Sequence, residues 1–341
     1  MREATLKAEV GAGTLRAGRG QIAVASASAE LRTDGHDLHL QSLRLAQRPA
    51  AGAHLAPPTL TASADARRTP AGWHATFSAG LDHASFADLA AYWPLGTGGG
   101  ARPWVTQNIT AGTATDGHAT GAVDVAADLS SLAVTALEGG VSASDMTVYW
   151  LRPVPPLEHA AALLTIDGPD ALHIDMPRAA QGALAASAGR IAITGLSRAH
   201  QIGDIAVSVD GGLKPLLDLL NNPRLRLLSR RPIPLTDPAG TASVKLRMTL
   251  PLEDSVTFDQ MGVSATAKLT KVHLGKIAAG RDLDDGTLDL AGECRQPEND
   301  RHGAGRRRAD RSRCRHGFPR RAAEPGAGAL YRAWPRHGGP A

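Results

Sequence analysis

The sequence predicts an all-β fold, mainly antiparallel, interrupted by a few short helices. Three observations carry this. Apolar residues recur with a period of two through most of the chain, as in strands with one apolar and one wet face. Turn-forming pairs of Gly, Asp and Pro fall between these runs. Hydrophobic residues make up 43% of the 341 residues but aromatics only 4%, so Ala, Leu, Val and Ile must line whatever face the strands bury. Many short strands with regular turn signals read as an antiparallel meander, sandwich or barrel.

The strands come in this order. Leu6, Ala8 and Val10 open the alternation, followed by Ile22 and Val24, then Leu38 and Leu40. Leu172, Ile174 and Met176 continue it, then Ile205, Val207 and Val209. Val244, Leu246, Met248 and Leu250 lie on one face, with Lys245 and Arg247 on the other. Val263, Ala265, Ala267 and Leu269 close the series. Turns are expected at Gly139-Gly140, Gly211-Gly212, Asp237-Pro238 and Asp285-Gly286. The Pro153–Pro156 run reads as a tight corner between strands rather than a domain boundary.

Three segments have helical spacing instead. HASFADLAAYW places Phe86, Leu89, Ala90 and Trp93 three and four apart, with Asp82 and Ser85 as candidate N-caps. Pro103 to Ile109 reads as one or two turns opened by a first-turn proline. LKPLLDLLNN aligns Leu213, Leu216, Leu217 and Leu220 on one stripe and stops at Asn221-Asn222-Pro223. Glycines 98 to 100 separate the first two helices and let them fold against each other.

Charge divides the chain unevenly. From Arg295 onward there are twelve Arg and no Lys against four acidic residues, so the tail is strongly basic and the body mildly acidic. The body therefore offers no footprint for nucleic acid. The tail, residues 294–341, reads as disordered low-complexity sequence. One reading is a basic tail for nucleic acid or anionic membrane, which would be expected to carry Lys as well. The preferred one is a GC-rich gene translated out of frame, whose composition is Arg, Gly, Pro and Ala without Lys, and codons compatible with Phe318–Arg336 shift into an ordinary-looking stretch. Cys294 and Cys314 are the only cysteines, which excludes a disulfide scaffold. No apolar run is long enough for a transmembrane helix, and the first residues do not form a signal peptide.

No catalytic constellation is visible. There is no G-x-S-x-G, Walker A or H-E-x-x-H pattern. GTGGGA at 96–101 follows Trp93-Pro94 rather than a strand, so it does not cradle phosphate. His36 and His39 point to opposite faces of a strand and have no third ligand, which suits a metal poorly. The reading is non-enzymatic, with no metal and no cofactor. Eight of the twelve aromatics cluster between Trp73 and Trp150. Trp93, Trp104 and Trp150 are expected to form an aromatic plug where the short helices cap the sheet; the other reading of the cluster is an amphipathic rim for lipid or membrane.

Four stretches carry a family resemblance: AYWP with ARPWVTQNITAG, VSASDMTVYWLRPVPPLEHAAALLTIDG, GDIAVSVDGGLKPLLDLLNNPRL, and PAGTASVKLRMTLPL. Together they resemble the AsmA-like family, specifically the central domain of YhdP-like proteins of Gram-negative bacteria. The resemblance covers 72–293, with 1–71 fitting as further strands of the same architecture. It implies an elongated β-sheet curled into a groove. It also implies a periplasmic protein anchored in the inner membrane, carrying phospholipids between the two membranes and maintaining the outer-membrane barrier. The anchor is missing from this chain and the family's pattern stops after Glu293, so it reads as a partial, frame-disrupted member. The partners implied are phospholipid acyl chains and membrane or envelope proteins. The groove lining expected from the alternation is Ile205, Val207, Val209, Val244, Leu246, Met248 and Leu250. The other reading is a ligand-free structural β-domain of the envelope.

Overall fold

The computed structural model describes residues 3–17, 19–198, 200–223, 236–252, 260–278, 281–294 and 314–316. These residues build one antiparallel sheet. Its strands are β1 (Ala4–Val10), β2 (Gly13–Ala17), β3 (Gly20–Thr33), β4 (Asp37–Gln47), β5 (Thr59–Thr69), β6 (Gly72–Ser85), β7 (Ile109–Ala126), β8 (Leu132–Val148), β9 (Leu157–Gly168), β10 (Ala171–Gln181), β11 (Leu184–Thr194), β12 (Ile202–Gly212), β13 (Thr236–Pro251), β14 (Gly262–Ala278), β15 (Arg281–Cys294) and β16 (Cys314–His316). The helices are α1 (Leu89–Tyr92), α2 (Ala101–Asn108) and α3 (Leu213–Leu220). From β3 onward each strand pairs with the next in sequence, while β1 and β2 share the outer edge of β3. Among the described residues the path is open: its end strands β1 and β16 do not pair, so the sheet is no barrel. β5 pairs with Gly72–Leu81 of β6 in unbroken register, so the sheet continues past residue 72. β16 pairs with the last residues of β15, and the rest of the expected disordered tail lies outside the described residues.

Adjacent strands supply the extensive strand–strand contacts, and every described strand belongs to one hydrogen-bonded sheet. The sandwich anticipated as one option is therefore absent among the described residues. The strands are also long rather than short, reaching 18 residues in β7 and 17 in β8.

Bulges accommodate this length. In β8 the pairing slips between Ala143 and Met146, at Asp145 with φ 53°. In β11 it slips between Ser187 and Arg190, where Ala188 has φ 49°. One extra residue shifts the side-chain parity, so an apolar series that jumps from odd to even numbers stays on one face. Ala143, Met146 and Val148 accordingly share one hydrophobic cluster, as do Met176 and Ala179.

Several turn signals are strand interior. Gly139 and Gly140 lie inside β8, where a Cβ on either would collide with a carbonyl of a neighbouring strand (His118 or Leu164). Asp237-Pro238 and Asp285-Gly286 sit in the bulged parts of β13 and β15. Gly211-Gly212 ends β12 and leads directly into α3. The corner at 149–156 does join β8 to β9, through a cis Arg152-Pro153 peptide.

The buried apolar side chains all lie toward one end of the strands. Val24, Leu45, Ala84, Ala114, Met146, Ala160, Ala179, Leu184, Ala242 and Leu269 sit near this end. Here the chain makes its larger connections: the α1–α2 insert after β6, the 149–156 corner, and α3 after β12. Leu213 and Leu216 of α3 pack on Leu184, Ala242, Leu269, Val272 and Leu274. This is the capped end. At the open end the β5–β6 and β9–β10 connections are only two residues long.

Candidate functional site: the apolar face

The seven side chains expected to line a groove are brought together. Ile205 faces Met248, Val207 faces Leu246 and Val209 faces Val244 across β12 and β13, with Leu250 opposite Gly203. Directly paired residues of antiparallel strands project to the same side, so these form one patch. All seven are half-buried. Val209 and Val244 pack against the α3 cluster, and Val207 against the cluster of Met146, Ala160, Ala179 and Ala186. Ile205, Met248 and Leu250 lie further toward the open end.

The face extends well beyond those two strands. Leu246 pairs with Ala265, and Ala265 with Gly292, carrying the patch onto β14 and β15. In the other direction Ile205 pairs with Ile191, Ile191 with Ile174, and Ile174 with Leu164. The same series reaches Ala64 opposite Leu40, Leu40 opposite Leu31, and Leu31 opposite Leu6. Sequence alternation marked each strand's apolar side, but it did not reveal that the sides join into one face. That required the register.

The opposite face is polar and laced with cross-strand pairs. His39 meets Asp65 at 2.6 Å, His74 meets Asp124 at 2.7 Å and His173 meets Asp167 at 2.6 Å. Lys7 pairs with Glu30 and Arg190 with Asp175. The hydrogen bond between His273 and Asp284 raises the His273 pKa above its ordinary value against the opposing desolvation, with added attraction from Asp284, Asp282 and Asp237. These pairs are solvent-exposed and contribute little to stability. His36 and His39 do not converge, and no group of three or more His, Cys, Asp or Glu among the described residues is placed to hold a metal ion.

The aromatic region is built differently from expectation. β6 runs on through Ser85, because Thr113–Thr115 of β7 pair with Ser85–His83. Asp82 and Ser85 are therefore strand residues, not N-caps, and α1 is a single turn preceded by Asp88. Asp88 is nearly buried and accepts hydrogen bonds from the His54 backbone N–H and contacts the His54 ring, both at 2.8 Å. Burial would raise its pKa, but the bonds from the His54 ring and from the N–H groups of His54 and Leu55 outweigh it, so the pKa is lowered. The Tyr92 hydroxyl accepts from the Ala50 N–H, and Arg102 ties α2 to the Trp93 carbonyl at 2.7 Å. Among the described residues Tyr92 is the buried aromatic. Trp93 is half-buried, its ring packed over Gly98, whereas Trp104 is 48% exposed and Trp150 36% exposed. Arg152 lies 3.9 Å over the Tyr149 ring. The cap is thus held largely by polar ties around Tyr92 and Asp88, a role that residue spacing alone did not mark.

Among the described residues no helix is long and apolar enough to cross a membrane. No protein family, curated protein or solved structure matches the chain.

Proposed function

We propose that this chain is a lipid-binding sheet segment of an AsmA-like, YhdP-like envelope protein. In this reading it works in the periplasm, within a longer assembly anchored in the inner membrane. It holds phospholipid acyl chains during transport between the inner and outer membranes and so supports the outer-membrane barrier. The reading is non-enzymatic.

One observation carries the reading: the described strands form one open sheet with a continuous apolar face, and among the described residues no second sheet lies over it. Domains ordinarily bury such a face against another layer, and an extended uncovered apolar surface marks an interaction site. Acyl chains suit it because the lining is aliphatic and aligned along the strands. Each methylene removed from water contributes about 0.8 kcal/mol, so retention needs no polar pocket.

Photo-crosslinking tests this directly. A photoreactive residue at Leu246 faces the proposed lipid, whereas one at Lys245 faces away. In chain exported to a Gram-negative periplasm, crosslinking to phospholipid at 246 and not at 245 is the expected result. Equal labelling, or none at either position, contradicts it and favours a ligand-free structural domain.

A further inference from the structure

We infer that Arg68, with Trp73 beside it, forms a headgroup site at the open end, and that the preferred ligand is a lipid of net negative charge. The inference rests on the lipid-binding reading above and adds an orientation and a selectivity to it.

Three facts place the site. Arg68 pairs directly with Trp73 across β5 and β6, one step before the connection. The register of this hairpin is unbroken, so Arg68 and Trp73 share a face with Ala66 and Ala75, Ala64 and Phe77, Ala62 and Ala79, and Leu60 and Leu81. That is the apolar face. Outside the bulges, Arg68 is the one Lys, Arg, Asp or Glu whose register puts it on this face at the open end of the described strands.

Arg68 is also exposed and forms no ion pair among the described residues. Its neighbour Arg67 projects to the polar face and reaches Asp37 at 3.8 Å. A guanidinium at the margin of an aliphatic surface keeps its stem on the apolar side and its charge in water. The half-buried Trp73 adds the amphipathic ring typical of a lipid–water boundary. An arginine also binds phosphate oxygens in bidentate fashion.

The dimensions fit one lipid. Arg68 to Leu60 spans eight strand steps, roughly 26 Å. One leaflet of a bilayer's hydrocarbon core is about 15 Å thick. A lipid with its phosphate at Arg68 therefore lays its tails along β5 and β6 toward the capped end, where Leu45 and Tyr92 are buried.

The test uses the full chain and vesicles with equal amounts of dioleoyl-phosphatidylglycerol and dioleoyl-phosphatidylcholine. The two lipids share their tails and differ in net charge. The protein is re-isolated from the vesicles and its bound lipid is counted by mass spectrometry. We expect a preference of about three- to tenfold for phosphatidylglycerol, the size of one partly exposed charge contact. Arg68→Gln should bring the ratio to about one without reducing total lipid, and Arg68→Lys should keep most of it. Raising the salt should weaken the wild-type preference, a readout independent of any variant's folding. Lipid bound without preference, or a preference unchanged in Arg68→Gln, overturns the headgroup site and leaves lipid binding standing. No bound lipid overturns both, and so does protein that stays attached to intact vesicles without extracting lipid.

Discussion

Val207 on β12 stands directly opposite Leu246 on β13, and the two are flanked by Ser208 and Lys245, which pair on the reverse face. One step along the strand thus separates the apolar side of the sheet from its polar side.

Leu246→Asp and Met248→Asp place a carboxylate on the uncovered part of the apolar face. Both side chains are half-buried, so the fold should survive with a loss of about 1–2 kcal/mol, while bound lipid should fall severalfold. Lys245→Asp, on the other face, should leave lipid unchanged. Circular dichroism and lipid extraction on the same preparations check both halves.

The capped end should carry most of the packing stability. Leu216 of α3 is 8% exposed and packs within the α3 cluster, so Leu216→Ala should cost about 2–4 kcal/mol. Leu246→Ala should cost less than about 1.5 kcal/mol, because that side chain is only half-buried. Urea unfolding of the two variants gives the comparison. Equal losses would mean that the face is covered along its whole length.

Asp88 ties the 48–58 connection to α1. Its pKa is depressed below the ordinary 3.8, so the carboxylate stabilises the fold at neutral pH. The sign follows from linkage: this contribution is present above the ordinary value and is lost as pH falls through the lower folded value. Asp88→Ala leaves the His54 N–H without its acceptor and should cost about 1–3 kcal/mol at pH 7. As pH falls below the ordinary 3.8 and through the lower folded value, the gap between wild type and variant should narrow. Denaturation series at neutral and acid pH test this. A gap that does not change with pH would place the stabilisation elsewhere.

Gly98 has φ 73°, and a Cβ there would strike the Trp93 ring. Gly98→Ala therefore incurs both backbone strain and a clash and should destabilise by more than about 1 kcal/mol. Gly100→Ala, with φ −68° and open space around it, should be nearly neutral. Trp fluorescence during unfolding resolves the difference.

Much of this architecture was legible in the residues. The alternation at Leu172–Met176, Ile205–Val209 and Val244–Leu250 located three strands and their apolar sides, and the leucine stripe from Leu213 located α3 and its stop. Three kinds of feature were not legible. Gly139-Gly140 looks like a turn, but glycine also serves where neighbouring backbones approach closely, and only the register separates the two uses. Asp82 and Ser85 look like helix caps because capping is read locally, whereas pairing with β7 is not. The tryptophans drew attention by rarity, yet Trp104 and Trp150 are exposed and Tyr92 is buried, since burial follows from where a side chain meets the strand ends. The significance of Arg68 was hidden for the same reason: its face is set by its partner Trp73 and by the count from Ala66.

The most direct measurement is the lipid content of the chain itself. Exported to a Gram-negative periplasm, purified gently and extracted for mass spectrometry, it should carry near-stoichiometric phospholipid that is lost in Leu246→Asp and Met248→Asp. A folded, β-rich protein with no bound lipid would contradict the account and leave the apolar face to another occupant.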